Sequence, residues 1–282
     1  MSETVEVAPP APIPAPASPP CPACGPGGPF VYVIGQIKPR CPTLALEKEY
    51  AQATGRSDTA GLTDPQALWK VLSDRANRYL ARQWCWVLAV EGVDTYLLVP
   101  RDAADLDLLI ESLRAEPRKT DLDMVIGTLG PVAPPTMCNG LMVPIVAFDQ
   151  VYSFDLDTLI GAIPRPEAIA AERFRAVAEE VLSRIMLMAD NAGATDEHRA
   201  LNYLAVRYDR IYALAAEQHA RNCSLSAIEV RPSLLSGVRH IVDVIFRFTN
   251  RQTDVTEAQF VRIDVTEQFP FLVTKLMPYV DR

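Results

Sequence analysis

The tightest chemical signal in the sequence is a pair of cysteines, Cys21 and Cys24, in the segment CPACG. Two thiolates at this spacing can bind one tetrahedral zinc ion, and the glycine that follows permits the turn of a zinc knuckle. A structural zinc site needs further ligands besides this pair. A redox-active dithiol and an unmetallated pair are the alternatives. Redox chemistry is favoured by a helix N-terminus that lowers the thiol pKa, and the proline-rich surroundings predict no helix.

The remaining zinc ligands must be dispersed, because the sequence contains no second Cys-x-x-Cys motif. Cys138 lies in the turn-rich segment PPTMCNG, which we expect to form an exposed loop and which suits a third ligand. Cys85 lies between two tryptophans in a predicted strand, and burial as a small hydrophobe is its first interpretation. Cys41 and Cys223 are interpreted as structural. Since no signal peptide is recognisable, we expect reduced thiols rather than a disulfide framework.

Other groups of polar residues do not indicate catalysis. The segment TDEHR at 195–199 could present its glutamate and histidine to a ligand, but a capped helix start explains it more simply. Asp149, Asp155 and Asp157 could act as paired carboxylates, yet a solvated loop before a helix accounts for them. The sequence contains neither a phosphate-binding glycine motif in a strand–helix context nor a serine-nucleophile elbow.

The composition excludes several classes of protein. The chain has 282 residues, of which 49% are hydrophobic and 22% charged, as is typical of soluble globular proteins. Its net charge of −8 and isoelectric point of about 5.0 disfavour binding to nucleic acid or to anionic lipid. No apolar run approaches the roughly 20 residues that cross a bilayer. We therefore expect a cytoplasmic protein without membrane or nucleic-acid partners.

The elements that must position these residues divide the chain into three parts. Residues 1–29, rich in proline and alanine, predict an extended, disordered tail that ends in the Cys-x-x-Cys knuckle. Residues 30–164 predict a mixed α/β part. Residues 165–282 predict two long helices followed by an antiparallel sheet, with the boundary marked by Pro164 and Pro166. The predicted fold class is α+β.

Hydrophobic periodicity predicts the individual elements within these parts. Helices are expected at 44–53, 65–82, 102–114 and 167–189, and another is expected to begin at Thr195, which can cap it. Strands are expected at 30–35, 84–90, 95–99, 123–129, 142–148, 224–230, 239–249 and 260–265. The apolar segment that begins at Phe269 is expected to dock on the core.

Several blocks of the sequence resemble one family. They include ALEKEYAQATGR at 45–56, MCNGL at 137–141, FDQVYSF at 148–154 and the run ADNAGATDEHRALNYLAVRY at 189–208. From residue 30 onward, the chain is similar to the C-terminal domain of unknown function of cyanobactin maturation proteases of the PatA/PatG type.

The resemblance implies a role in the biosynthesis of a ribosomally made and post-translationally modified peptide. It implies a dimeric, two-part α+β module that holds the precursor peptide for the processing enzymes. Because the residues show no catalytic constellation, we expect the protein to be non-catalytic. It supports Cys21, Cys24 and Cys138 as ligands of a structural zinc ion, with Cys85 as the candidate fourth ligand. We expect the peptide to be captured by addition of a strand to a sheet edge.

Two other functions stay open at this point. One is a zinc-dependent enzyme that hydrolyses or modifies the peptide, which requires a zinc ion with an open coordination position. The other is a dimeric scaffold that recruits the processing enzymes through the proline-rich tail.

Overall fold

The computed structural model describes residues 30–188 and 190–280. Within these ranges the chain forms helices and two β-sheets, which confirms the predicted α+β class. None of the helices in these ranges is long and apolar enough to cross a bilayer. The predicted tail at 1–29 lies outside the described residues.

The first sheet is a closed barrel of five strands in the order β1-β2-β3-β5-β4. Its strands are β1 (Phe30–Arg40), β2 (Cys85–Val90), β3 (Val93–Pro100), β4 (Asp121–Val132) and β5 (Pro144–Asp155). Neighbouring strands are antiparallel except β3 and β5, which run parallel. Closure of the strand order gives every strand of this sheet two neighbours, although β1 pairs with β4 only over Phe30–Gly35 and with β2 only over Gln36–Arg40.

Short helices surround the barrel. They are α1 (Leu44–Arg56), α2 (Asp64–Ser73), α3 (Arg78–Ala81), α4 (Leu106–Ser112) and α5 (Leu156–Ala162). The single helix predicted at 65–82 is interrupted after Ser73, because Asp74 leaves the helical conformation and its carboxylate accepts a hydrogen bond from the Ala76 N–H. Aspartate competes for backbone donors in this way and thereby ends helices.

The second half consists of three helices and a four-stranded antiparallel sheet in the order β6-β7-β8-β9. Thr195 caps α7, as the sequence predicted, and β9 is an edge strand where only a docked apolar segment was expected. The elements are α6 (Ala171–Met186), α7 (Asp196–Arg207), α8 (Arg210–Ala220), β6 (Cys223–Pro232), β7 (Ile241–Asn250), β8 (Thr256–Asp264) and β9 (Phe271–Pro278).

Both faces of strand β1 are buried, each against a different cluster. Val31 and Val33 pack with the inner face of the barrel and with α1 to α4. Tyr32 and Ile34 point the opposite way, toward α6, α7, α8 and the inner face of the second sheet. The second cluster therefore joins side chains from both sides of the boundary predicted at Pro164, and the division into two parts stays a prediction.

Candidate functional site

The barrel opens where β1 separates from β4. The two strands pair from Phe30 to Gly35, whereas Gln36–Arg40 pairs with β2. Past the separation, the Ile37 N–H donates to a carboxylate oxygen of Asp123 at 2.8 Å instead of to a strand carbonyl. Pro39, the next residue with the same strand orientation, has no N–H to donate.

A cleft with a volume of about 960 Å³ lies at this separation. Its apolar wall includes Tyr50 of α1, Leu68 of α2 and Trp84, and the two aromatic rings meet edge to face at 5.4 Å. Its polar wall is the connection between α4 and β4, together with the start of β4. The cleft thus combines aromatic surface with charged groups, as ligand pockets commonly do.

Asp123 forms the buried part of the polar wall. Its residue surface is only 5% exposed, and Ser153 donates a hydrogen bond to its second carboxylate oxygen at 2.6 Å. Burial raises the pKa of Asp123 to about 6, and the bonds from Ser153 and Ile37 oppose this rise. The carboxylate therefore carries its charge at neutral pH and takes up a proton in mildly acidic solution.

Arg114 places a guanidinium group in the same wall, with a side chain that is 25% exposed. Its Nε lies 3.4 Å from a carboxylate oxygen of Asp121, an ion-pair distance without hydrogen-bond geometry. Among the described residues, no acceptor bonds to Nε or Nη2 of Arg114, and both atoms are buried. The other carboxylate oxygen of Asp121 accepts from the Arg118 N–H at 2.7 Å.

The cleft is locally basic although the whole chain is acidic. The side chains that line it include four cationic and three anionic groups, against a net charge of −8 for the chain. Two of those anions, Asp121 and Asp123, already accept backbone hydrogen bonds. The cationic groups are Lys38, Arg114, Arg118 and Lys119. This local charge favours an anionic ligand rather than the basic peptide that the overall charge would attract.

Two of the four predicted zinc ligands meet in the structure. Cys85, at the start of β2, and Cys138, in the loop between β4 and β5, have Cα atoms 6.0 Å apart and are joined by a disulfide. Cys138 is fully buried in an apolar cluster, not exposed as the sequence predicted, because its loop folds back over β2 and β3. The disulfide also differs from the expected reduced state. Cys21 and Cys24 lie outside the described residues.

Two other cysteines, Cys41 and Cys223, lie within residues 30–188 and 190–280. Cys41 is partly exposed, Cys223 is buried, and both have free thiols. No group of three or more His, Cys, Asp or Glu side chains in these ranges is arranged to hold a metal ion. The four-cysteine zinc site includes two residues outside these ranges and stays a prediction.

The polar segment at the start of α7 has structural contacts. Thr195 accepts from the His198 N–H, and Asp196 lies 2.9 Å from Nδ1 of His240. The buried side chain of Arg199 donates to the Val265 carbonyl at 2.7 Å. These bonds tie α7 to the second sheet, in agreement with a capped helix start rather than a ligand site.

The three aspartates considered as acid–base groups also have structural partners. Asp155 caps α5 by accepting from the Thr158 N–H at 2.9 Å, and Asp157 pairs with Arg175. Asp149 pairs with Arg101 at 2.7 Å. Asp149 and Asp155 lie in strand β5, so the solvated loop expected here is wrong, whereas the expected helix start at α5 is present.

Comparison with known proteins finds a family match in the second half of the chain. Residues 169–279, from before α6 to the end of β9, match the family model described as PatG C-terminal. This segment is therefore similar to the PatG C-terminal family. The finding confirms, for this part of the chain, the resemblance that the sequence blocks carry.

A solved structure described as "PatG Domain of Unknown Function" has a similar fold. The match has a TM-score of 0.71 at 20% sequence identity and covers 90% of this chain and 99% of that chain. At this identity the likeness shows the fold alone, and the covered share extends beyond the matched segment 169–279 into the barrel. No curated protein matches the sequence.

The cleft lies in the barrel half, outside the matched segment 169–279, and its residues were not among the predicted site residues. Arg114 stood at the end of a predicted helix and Asp123 at the start of a predicted strand. A usable signal was present at Asp123, because a carboxylate directly before the apolar run Met124–Ile126 is a candidate for burial. No such signal in the sequence indicates that Nε and Nη2 of Arg114 lack a hydrogen-bond acceptor among the described residues.

Proposed function

We propose that this protein is a non-catalytic accessory protein of cyanobactin-related peptide biosynthesis. In this proposal it binds the precursor peptide in the barrel cleft and holds it for the processing enzymes of the same pathway. The match of residues 169–279 to the PatG C-terminal family supports the pathway. The observation that carries the binding role is the cleft of about 960 Å³, with aromatic and charged walls.

The cleft suits peptide capture better than the strand edges at β1 and β9 do. The barrel is closed, and the exposed side of β1 has its Ile37 N–H bonded to Asp123. On edge strand β9 the Leu276 N–H donates to the Tyr208 hydroxyl at 3.2 Å. Since addition of a strand needs free backbone donors, we propose recognition through side chains in the cleft instead of the expected edge pairing.

Calorimetric titration with the precursor peptide encoded beside the gene tests this role. We expect saturable binding with one peptide per chain, and a loss of about tenfold in affinity when Tyr50→Ala removes part of the aromatic wall. Tyr79→Ala is the matched control, because Tyr79 is exposed on α3 and lies outside the cleft lining. Absence of binding, or an equal loss in both variants, would contradict the proposal.

We also propose that Cys21, Cys24, Cys85 and Cys138 bind one structural zinc ion when their thiols are reduced. Cys85 and Cys138 lie 53 residues apart in sequence, yet their Cα atoms are 6.0 Å apart. Two thiolates this close can occupy two corners of a tetrahedral site, and a Cys-x-x-Cys pair can supply the other two. Such a zinc ion would attach the 21–24 segment to the barrel.

Metal analysis and thiol counting distinguish the zinc site from the disulfide. Zinc binding predicts one zinc per chain, four sulfur ligands by X-ray absorption, and six titratable thiols after denaturation in chelator without reductant. A disulfide predicts two fewer thiols and no bound zinc. Protein purified from a reducing cytoplasm in the second form would overturn the proposal.

We also propose that the protein is a homodimer whose interface lies at one end of the second sheet. Leu234, Leu235 and Val238, in the loop between β6 and β7, and Phe271 on β9 are all exposed. The guanidinium of Arg239 lies 5.3 Å from the Phe271 ring and connects the loop to β9. Exposed apolar residues grouped at one end of a sheet are a candidate interface between copies.

Sedimentation analysis over a range of concentrations tests the dimer. We expect Val238→Asp to shift the wild-type dimer to a monomer. Val132→Asp introduces the same charge at an exposed position of the barrel and should leave the dimer intact. A wild-type monomer at all concentrations would contradict this proposal.

A further inference from the structure

We infer that the cleft recognises a carboxylate group of its ligand and that Arg114 is the residue that binds this carboxylate. The inference deepens the peptide-binding role and rests on it. It begins from an unusual local arrangement: two buried nitrogen atoms of Arg114, Nε and Nη2, have no hydrogen-bond acceptor among the described residues.

These two atoms form one edge of the guanidinium group. That edge presents two parallel N–H groups, the geometry that binds both oxygens of a carboxylate. A buried donor without an acceptor costs about 1–3 kcal/mol. A ligand carboxylate seated on this edge would remove that cost and gain two charge-assisted hydrogen bonds.

The two carboxylates of the same wall accept hydrogen bonds from other groups, and only Asp121 is also at ion-pair distance from Arg114. Asp121 accepts from the Arg118 N–H at 2.7 Å and approaches Arg114 Nε only to 3.4 Å. Asp123 accepts from Ile37 at 2.8 Å and from Ser153 at 2.6 Å. Asp121 therefore positions the guanidinium, while the hydrogen-bonding edge is left for a ligand.

The surroundings of Arg114 define the chemical class of the ligand. Lys38, Arg118 and Lys119 add positive charge to the cleft, while Tyr50 and Trp84 supply aromatic surface. A carboxylate next to an apolar or aromatic group complements both walls. In a peptide, this chemistry occurs at a free C-terminus that follows an apolar residue, and at an Asp or Glu side chain beside one.

Three forms of the precursor peptide distinguish the two sources of the carboxylate. They are the native peptide, the same peptide with an amidated C-terminus, and a peptide with its Asp and Glu residues changed to Asn and Gln. We expect one of the two modifications to weaken binding by about 10- to 100-fold, as loss of a charged hydrogen-bond pair does. Arg114→Met should weaken binding of the native peptide by the same factor.

Two further variants control for general effects. Arg184→Met removes the same charge from an exposed position on α6, where Arg184 pairs with Glu180, and should leave affinity unchanged. Arg114→Lys keeps the charge but loses the two-pronged geometry, so its affinity should lie between wild type and Arg114→Met. It also replaces Arg114→Met if that variant fails to fold.

The outcomes separate this inference from the proposed function. If Tyr50→Ala weakens binding while neither peptide modification nor Arg114→Met does, the cleft binds peptide but the carboxylate inference is wrong. If no peptide binds, the peptide-binding role fails, and N-acetylphenylalanine and its amide test the cleft directly by NMR. Changes in NMR chemical shift around Arg114 that occur with N-acetylphenylalanine but not with its amide, and that disappear in Arg114→Met, would support carboxylate recognition. Equal responses to acid and amide would overturn it.

Discussion

The arginines of the second sheet and Arg114 of the barrel cleft are bonded in opposite ways. On the outer face of the sheet, Arg262 uses Nε and Nη2 to bind both oxygens of Asp243, at 2.7 and 3.2 Å. Its guanidinium also lies 5.1 Å from the Phe260 ring. The same two atoms of Arg114 bond to no acceptor among the described residues.

This difference in hydrogen bonding distinguishes charged side chains that stabilise the fold from those that can bind a ligand. Arg247 follows the pattern of the sheet, because its Nε donates to Glu229 at 2.5 Å. Each such pair compensates the desolvation of both partners within the protein. In the cleft the compensation is incomplete, because two nitrogen atoms of Arg114, a residue of the cleft wall, bond to no acceptor among the described residues.

The largest effect on stability is expected from Arg262→Met. The variant leaves Asp243, whose side chain is only 14% exposed, without its cationic partner. Breaking such a pair on one side costs about 3 kcal/mol of unfolding free energy. Urea denaturation should show this loss, while calorimetry should show unchanged peptide affinity.

The double variant Arg262→Met/Asp243→Leu is the control for this prediction. Replacing both partners with apolar residues removes the uncompensated charge, so we expect most of the lost stability to return. A loss below about 1 kcal/mol in Arg262→Met would mean that the paired arginines do not stabilise the sheet. The contrast with the cleft would then have no energetic basis.

The alternation of apolar residues made much of this fold predictable from the sequence. The α+β class, most of the strands and the Thr195 cap follow from local patterns of burial and capping. The closed barrel and its parallel pair β3 and β5 do not, because strand partners and closure depend on contacts distant in sequence. The interruption at Asp74 falls in the largely polar run SDRANR at 73–78, which by itself also suits the exposed face of a continuous helix.

The candidate site was less predictable than the fold. The sequence drew attention to Cys85 and Cys138, and the structure brings these two together. It gave no indication of the cleft, which exists because β1 exchanges β4 for β2 after Gly35. Nε and Nη2 of Arg114 lack a hydrogen-bond acceptor among the described residues because of the orientation of the Asp121 carboxylate. No local sequence pattern encodes that orientation.

A smaller, pH-dependent effect is expected at Asp123. Its pKa is about 6 in the folded protein, against an ordinary value of 3.8. Between these values the folded protein binds more protons than the unfolded chain, so stability falls as the pH rises. The loss from this group should amount to about 2 kcal/mol between pH 4 and pH 7. Urea denaturation across this range should show it as a difference between wild type and Asp123→Asn.

Asp123→Asn keeps the shape of the side chain and removes its titration. The amide oxygen can still accept from Ile37, and the Ser153 hydroxyl can rotate to accept from the amide nitrogen. We therefore expect the variant to fold and to lack this part of the pH dependence. If the unfolding free energies of wild type and variant differ by the same amount at every pH, the raised pKa of Asp123 is contradicted.

The smallest effect on stability is expected from Arg114→Met, because its ion pair with Asp121 lacks hydrogen-bond geometry and its two buried nitrogen atoms make no hydrogen bond to the described residues that the substitution could break. The methionine stem can retain the apolar contacts of the arginine stem. Asp121 keeps its bond from the Arg118 N–H, so it does not lose its only partner. We expect a change below about 1 kcal/mol in urea denaturation, measured beside Arg262→Met in one buffer. A loss as large as that of Arg262→Met would show that Arg114 holds the fold, and the distinction between the two regions would fail at the residue on which it depends.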